Sequence, residues 1–415
     1  MALSAPRGTQ DILPEDARRW QWLESLFRTH CHRYGYGEIR TPVFESTELF
    51  VRGVGQETDI VSKQMYSFES RGGDALTLRP EGTAPTVRAL IQHNLLAQGG
   101  VTKLYYLGPI FRYERPQRGR YRQFHQVGIE AYGSPGPDID AEVLALAADF
   151  LDAAGIPGTT LELNSVGCPA CRPRYRDALR TALAGARTDL CPDCERRFET
   201  NPLRILDCKI DTCRDHTRDV PVILDVLCNE CHEHLAGVVA GLKRLGVAHV
   251  INPHIVRGLD YYTRTAFEFI AGGLGAQNTV LAGGRYDGLV KELGGPATPA
   301  IGFAAGIERL LMATTATDAG AAPALIYLAL LGDAARAEGM RLALELRRAG
   351  VSIVHDYAGR SLKAQLKEAN RLGAQVVVIL GDEELAQGEA VVRQMADGAQ
   401  ARVALPELAA YLTTR

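Results

Sequence analysis

Five arginines, Arg112, Arg115, Arg118, Arg120 and Arg122, fall within eleven residues of a chain whose formal net charge is only −3. Phe111-Arg112-Tyr113-Glu114 opens this stretch and Arg122-Gln123-Phe124-His125-Gln126 closes it. A guanidinium projecting from a sheet is a planar, permanently charged fork suited to a phosphate or a carboxylate. Solvent-exposed Arg/Glu mixtures have the same composition, so spacing alone leaves surface ion pairing as an equal reading. The slightly negative net charge does not exclude a nucleic-acid partner, which needs clustered rather than net positive charge.

Cysteine is the second concentration of chemistry. Eight of the nine lie between Cys168 and Cys231, in four close pairs: Cys168/Cys171, Cys191/Cys194, Cys208/Cys213 and Cys228/Cys231. Repeated Cys-x-x-Cys is a zinc signal, two pairs making one tetrahedral site. Buried free thiols are the competing reading, since cysteine is itself a frequent core residue. Which pairs would share an ion stays open, and a catalytic role for these thiols is not expected. A disulfide framework is not expected in a long chain that opens MALSAPRGTQDILP, without a signal-peptide apolar run.

The elements that must position these groups can be read from periodicity. Trp20, Leu23 and Phe27 mark a first helix after Pro14, ended by Gly35. Glu38–Phe44 is extended and interrupted by Pro42, which suits a strand edge or a strand–helix junction. Two β-rich segments, from Thr102 and from Tyr121, read as an antiparallel hairpin with a long basic connection. Ala141–Ala154 has helical spacing, and Leu161–Val166, Val250–Ile251, Thr265–Ile270 and Thr279–Ala282 read as strands. Ala300–Met312 is a strand turning into a helix. Met312–Pro323 is small and polar, as a linker is. Beyond it, strands at Ala324–Leu331, Val351–His355 and Gln375–Leu380 alternate with helices at Ala334–Ala349 and Ser361–Leu372, giving a compact βαβαβ domain with a mostly parallel sheet.

The expected fold class is therefore α+β. It comprises a large antiparallel-sheet domain at 1–315 with a Cys-rich insertion at about 167–235, a linker at 316–323, and a small α/β domain at 324–415. Neither a Gly-x-x-x-x-Gly-Lys phosphate loop nor a Gly-x-Gly-x-x-Gly turn after a first strand is present, so any nucleotide must be held by side chains.

Several segments resemble the class II aminoacyl-tRNA synthetases: Glu38–Glu45 with Pro42 (their motif 1), Lys103–Glu130 with Arg112 (motif 2), and Ala300–Met312 with Arg309 (motif 3). Further segments narrow the resemblance to the histidyl-tRNA synthetase family. These are Arg7-Gly8-Thr9-Gln10-Asp11, Thr77–Thr83 (TLRPEGT), Glu114-Arg115-Pro116-Gln117, Arg257-Gly258-Leu259-Asp260-Tyr261-Tyr262 and Gly283-Gly284-Arg285-Tyr286-Asp287. The resemblance runs through nearly the whole chain and implies an anticodon-binding C-terminal domain.

That resemblance implies activation of L-histidine by ATP with Mg²⁺ to the adenylate, with loss of pyrophosphate, and transfer to the 3′ end of tRNA(His). By it, Glu81, Thr83 and Gln126 hold the α-amino group, Glu130, Tyr262 and Tyr286 form the imidazole pocket, and Tyr261 and Arg257 also bind the histidine. Arg112 and Arg257 carry the catalytic charge at the α-phosphate and the carboxylate, Arg112, Glu114 and Arg309 hold ATP, and Arg115 and Gln117 read the acceptor end of the tRNA. The chemistry is coherent: a carboxylate can accept from one ring N–H while a phenol engages the other nitrogen, and adenylate formation needs orientation and charge neutralisation. Residues four apart in a strand share a face ~13 Å apart, so Gln126 and Glu130 can floor one site. Ordinary packing is the alternative for the tyrosines, and a solvated loop for Arg115–Tyr121. A homodimer follows from motif 1, and a cytoplasmic location from the absence of long apolar runs. The alternative within the family is a catalytically silent regulatory paralogue; the presence of Arg112, Glu130, Arg257, Arg309 and the C-terminal domain argues against it.

Overall fold

A computed structural model describes residues 3–56, 58–97, 99–206, 208–255, 259–272, 278–317, 320 and 324–413. The chain divides into two compact units, Met1–Gly320 and Ala321–Arg415. No helix among the described residues is long and apolar enough to cross a membrane.

The first unit is built on an eight-stranded sheet. Its order is Gly37–Glu38, Thr102–Phe111, Gln123–Tyr132, Ala300–Gly306, Thr279–Arg285, Thr263–Ile270, Thr160–Ser165, His249–Ile251. All pairings are antiparallel except those of the two short outermost strands, which run parallel to their neighbours. One face is apolar: Val127, Ile129, Ala131, Phe267, Phe269, Ile301 and Phe303 alternate inward along their strands and meet Leu23, Phe27 and Phe150. Those last three come from helices Pro14–Arg33 and Pro137–Ala153. This period-two alternation leaves every intervening residue on the opposite face, where polar groups can converge.

The segment expected to extend from Glu38 to Phe44 breaks at Pro42 into two strands in different sheets. Gly37–Glu38 joins the main sheet, and Phe44–Ser46 pairs with Ala75–Leu78 in a small three-stranded sheet. The Cys-rich stretch is helical, with helices Cys171–Leu183, Pro192–Thr200 and Asp211–Thr217 around a core of its own that includes Tyr175, Leu179, Phe198 and Ile223. Helix Asn229–Leu245 then carries the chain back, lying so close to Pro137–Ala153 that a methyl on Gly237 would come within 2.5 Å of Pro137 Cγ.

The second unit holds a five-stranded sheet in the order Ile353–His355, Ile326–Leu331, Val376–Gly381, Glu389–Gln394, Gln400–Ala404. Only the first three strands are mutually parallel; the last two form an antiparallel hairpin that the βαβαβ pattern did not include. The strand Glu389–Gln394 is EAVVRQ, whose charged ends blur its alternation. Here the sheet is evenly mixed rather than mostly parallel.

Candidate active site

The hairpin Thr102–Phe111/Gln123–Tyr132 and its neighbour Ala300–Gly306 make the floor of a polar pocket. With Val127 and Ile129 turned to the core, Gln126 and Glu130 face the other way and line the same pocket. Glu130 is paired across the sheet with Gly302, and Gln126 with Gly306. The glycine at 302 is required by close approach: a methyl there would come within 1.9 Å of Glu130 Oε2 and 2.3 Å of the Ile129 carbonyl oxygen. A methyl on Gly128 would likewise meet the Tyr106 ring at 2.4 Å.

The pocket, of about 580 Å³, gathers Glu81, Thr83, Gln126, Glu130, Tyr262 and Tyr286. Glu81 is buried and accepts from the backbone N–H groups of Thr83 (2.8 Å) and Ala84 (2.7 Å), at the start of helix Thr83–Gln92. The Thr83 hydroxyl donates to Glu130 Oε1 at 2.7 Å, and the Tyr286 hydroxyl donates to Glu130 Oε2. Burial is the main force on both acids. It raises the Glu81 carboxyl against its two backbone donors and nearby Arg112. It pushes Glu130 up to about 8 despite the Tyr286 and Thr83 hydroxyls, with the Glu81 charge adding to the rise. Two buried acids in one pocket, with Gln126 Oε1 buried and without a hydrogen-bond partner among the described residues, form a set of acceptors suited to a cation. Tyr261, Tyr262 and Tyr286 pack as a cluster, with Tyr261 ring centroids 4.8 Å from Tyr262 and 5.5 Å from Tyr286.

A second cleft of about 950 Å³ adjoins the pocket and shares Arg112 and Gln126 with it. Arg112 Nε donates to the Pro80 carbonyl at 2.8 Å, and its guanidinium carbon lies 5.5 Å from the Phe124 ring centroid. Its side chain is thus fixed where the two spaces meet. Arg309 enters the cleft from the first turn of helix Ile307–Ala313. Burial lowers the pKa of both arginines, the sign of cations held away from bulk water. Glu114 lines the same cleft and pairs with Arg120 at 3.0 Å. Glu268 also faces it, accepting the Thr279 hydroxyl at 2.7 Å.

The loop of the hairpin is narrow at its tip, where Gln117 and Arg120 exchange backbone hydrogen bonds of 3.1 and 2.8 Å around Gly119 at φ +74°. Arg115 and Gln117 are exposed on it. Below the loop, Glu308 accepts from the His125 backbone N–H at 3.0 and 3.1 Å and contacts its ring Nδ1 at 3.2 Å, tying the hairpin to the helix that carries Arg309. Arg257 lies outside the described residues.

The eight clustered cysteines form two foursomes. Cys168, Cys171, Cys228 and Cys231 make one, and Cys191, Cys194, Cys208 and Cys213 the other, all Sγ atoms of each lying within 4.8 Å of one another. The first and last pairs along the chain therefore go together, as do the middle two. Sγ separations of 3.6 Å (Cys168–Cys171), 3.8 Å (Cys168–Cys228) and 3.9 Å (Cys191–Cys208) are not disulfides.

A pocket lined by two buried acids thus opens onto an arginine-lined cleft. The family model described as histidyl-tRNA synthetase matches residues 8–170 and 208–310, and that described as anticodon binding domain matches 326–415. The chain is 51% identical over 420 residues to the histidine–tRNA ligase of Desulforamulus reducens, covering all of both chains. It is 52% identical to that of Geobacillus kaustophilus, covering 100% of this chain and 99% of the relative. The chain belongs to the histidyl-tRNA synthetase family. The apo histidyl-tRNA synthetase of Staphylococcus aureus has the same fold, with a TM-score of 0.84 at 38% identity over 99% of this chain and all of that one. The antiparallel-sheet class II architecture with a C-terminal anticodon-binding domain is therefore the fold of this synthetase-family chain.

Several groups in the site carried no reading from the sequence. Tyr106 lies beneath Gly82 and Gly128, and Glu268 faces the arginine cleft. The one available signal for Glu268 was an acid set between two phenylalanines in the apolar end, Ala266–Ile270, of its strand. Arg285 turns out to be a structural clamp. Fully buried, it binds Asp140 through Nε and Nη2, Asp287 at 3.0 Å and two backbone carbonyls, and so sets the backbone from which Tyr286 reaches Glu130.

Proposed function

We propose that this chain is a histidine–tRNA ligase, activating L-histidine with ATP and transferring it to the 3′ end of tRNA(His). The observation that carries the reading is the placement of Glu81, Gln126 and Glu130 in one buried pocket with Arg112 at its mouth, beside the larger cleft of Arg309. The α-ammonium fits Glu81, Thr83 and Gln126. The imidazole fits Glu130 with Tyr262 and Tyr286, and Tyr261 packs behind them. This orientation directs the carboxylate toward Arg112 and, by the family resemblance, Arg257.

In the reaction, a histidine carboxylate oxygen bonds to the α-phosphorus of ATP. The bond from that phosphorus to the bridging oxygen breaks, and pyrophosphate leaves with the electron pair. The protein's part is positioning and charge. Arg112 and Arg257 hold the α-phosphate and carboxylate through the transition state, Arg309 the distal phosphates, and Glu114 orients the nucleotide while paired to Arg120. Family members use ATP with Mg²⁺; the carboxylate of Glu268 in the same cleft is an oxygen donor of the type that ion takes, and Mg²⁺ would share neutralisation of the phosphates. A terminal tRNA hydroxyl then displaces AMP from the histidyl carbonyl, with Arg115 on acceptor-end phosphates and Gln117 near base edges.

The domain scheme that goes with this function is 1–315 catalytic with an insertion at about 167–235, 316–323 linker, and 324–415 anticodon-binding. We place it in the cytoplasm as a homodimer. Exposed Phe44 and Phe68, stacked edge to face on the small three-stranded sheet, support a partner there. The eight insertion cysteines suit structural zinc. The test is ATP-dependent attachment of labelled histidine to tRNA. Charging of tRNA(His) and no other acceptor is expected, and failure to charge it with active histidine and ATP present would refute the proposal.

A further inference from the structure

We infer that the insertion holds two zinc ions in separate four-thiolate sites, and that the one at its base positions the histidine-pocket segment Leu259–Tyr262 through Arg172. This rests on the reading of the cysteines as zinc ligands and extends it to a division of labour. Four thiolates around zinc at about 2.3 Å place the sulfurs roughly 3.8 Å apart. The separations of 3.6, 3.8 and 3.9 Å match that tetrahedron. In each foursome a backbone N–H also points at a sulfur: Cys228 N to Cys171 Sγ at 3.1 Å, and Cys191 N to Cys213 Sγ at 3.2 Å. Such donors favour the thiolate, as metal ligands require. The base is built for close packing, since a methyl on Gly167, at φ +66°, would come within 2.8 Å of Cys171 Cβ.

The base site joins two anchored elements. Cys228 and Cys231 stand at the start of helix Asn229–Leu245, which packs on helix Pro137–Ala153 of the catalytic core. Cys168 and Cys171 precede Arg172, whose Nη1 donates to the Asp260 carbonyl at 3.2 Å. Asp260 immediately precedes Tyr261 and Tyr262, which wall the histidine pocket. On the other side of Tyr262 is a further cleft of about 940 Å³, lined by Arg172, Arg176 and Asn201 of the insertion. On that side the insertion meets the segment through Arg172 and through Asn201, whose Nδ2 lies 3.5 Å from Asp260 Oδ1, while Leu259, Tyr261 and Tyr262 pack on the catalytic core. The second site closes Cys191–Cys213 and serves the insertion's own core.

The test counts metal and measures histidine binding by calorimetry, neither of which needs turnover. The purified chain should contain two zinc ions, and Cys171→Ser and Cys194→Ser should each remove one. Arg172→Ala should keep both ions and the melting temperature, yet weaken histidine about tenfold while ATP affinity stays within twofold; Arg172→Lys, which keeps a donor, should recover most of the loss. No zinc, one zinc, or a red iron-thiolate protein would overturn the metal assignment. Two zinc ions with unchanged histidine affinity in Arg172→Ala would overturn the coupling alone. A parent chain that binds no histidine would overturn the ligase reading, and the coupling with it, while leaving the metal count standing.

Discussion

Glu130 is buried among hydroxyls and another acid, and burial pushes its carboxyl up to about 8. Two consequences have opposite signs. A carboxyl whose folded pKa exceeds its unfolded value stabilises the fold fully below the unfolded value and loses that contribution as pH rises toward the folded one. Glu130→Gln lacks this titration, so its melting temperature relative to the parent should rise between pH 5 and pH 8. Ligand binding should go the other way. If Glu130 as carboxylate accepts from the histidine ring, the bond is worth about 1.5–3 kcal/mol. The variant should then raise the histidine KM roughly ten- to hundredfold and leave the ATP KM alone. In the parent, the histidine KM should fall from pH 7 to 8.5; in the variant that slope should be absent. Parallel KM profiles for the two proteins would mean the ring does not meet Glu130. Chemistry-bearing residues such as Glu81, Arg112, Glu130 and Arg309 were legible because their motifs are local. Tyr106 and Glu268 were not, because what brings them to the site is cross-strand register, which no short stretch of chain encodes.

At the scale of elements, the hairpin and its neighbour fit together because glycines sit where the side chains lining the pocket need room. Gly302 faces Glu130 across the sheet, and an added methyl there has nowhere to go except into the carboxylate or the Ile129 carbonyl. Gly302→Ala should therefore lower kcat/KM for histidine activation at least tenfold by displacing Glu130, with a fall of several degrees in Tm. Wild-type kinetics from this variant would show that the sheet yields without moving the acid. The hairpin, the helices and the strand-to-helix turn at Ala300–Met312 could be read from periodicity because one face of each is apolar. The Cys-rich region was harder to read: apart from Cys171–Leu183, whose Tyr175, Leu179 and Leu183 form an apolar stripe, its helices are short and separated by 3₁₀ turns. The terminal hairpin of the second unit was missed because its strands are half-exposed and short apolar stretches in them are interrupted by Arg393 and Arg402.

At the scale of the molecule, the two compact units have separate apolar cores, one centred on Phe27, Phe150 and Phe267 and the other on Leu328, Leu342 and Leu380. The first contains the pocket and the arginine cleft entire. A chain ending at Gly320 should accordingly keep a substantial part of its histidine-dependent pyrophosphate exchange and lose most of its tRNA charging. Equal charging by the shortened and full chains would remove the second unit from tRNA recognition. The division was legible from composition, since Met312–Pro323 is poor in large apolar residues and the strand–helix alternation begins directly after it. The central claim is that this pocket selects histidine and delivers its carboxylate to ATP. Its most direct test is pyrophosphate–ATP exchange by the full chain with each of the twenty amino acids in turn and no tRNA. Exchange should appear with histidine and stay at least ~10⁴-fold lower with each of the others, because a side chain without a ring N–H gives the buried Glu130 carboxylate no donor to offset its charge. Exchange driven equally by another amino acid, or none with histidine, would contradict it.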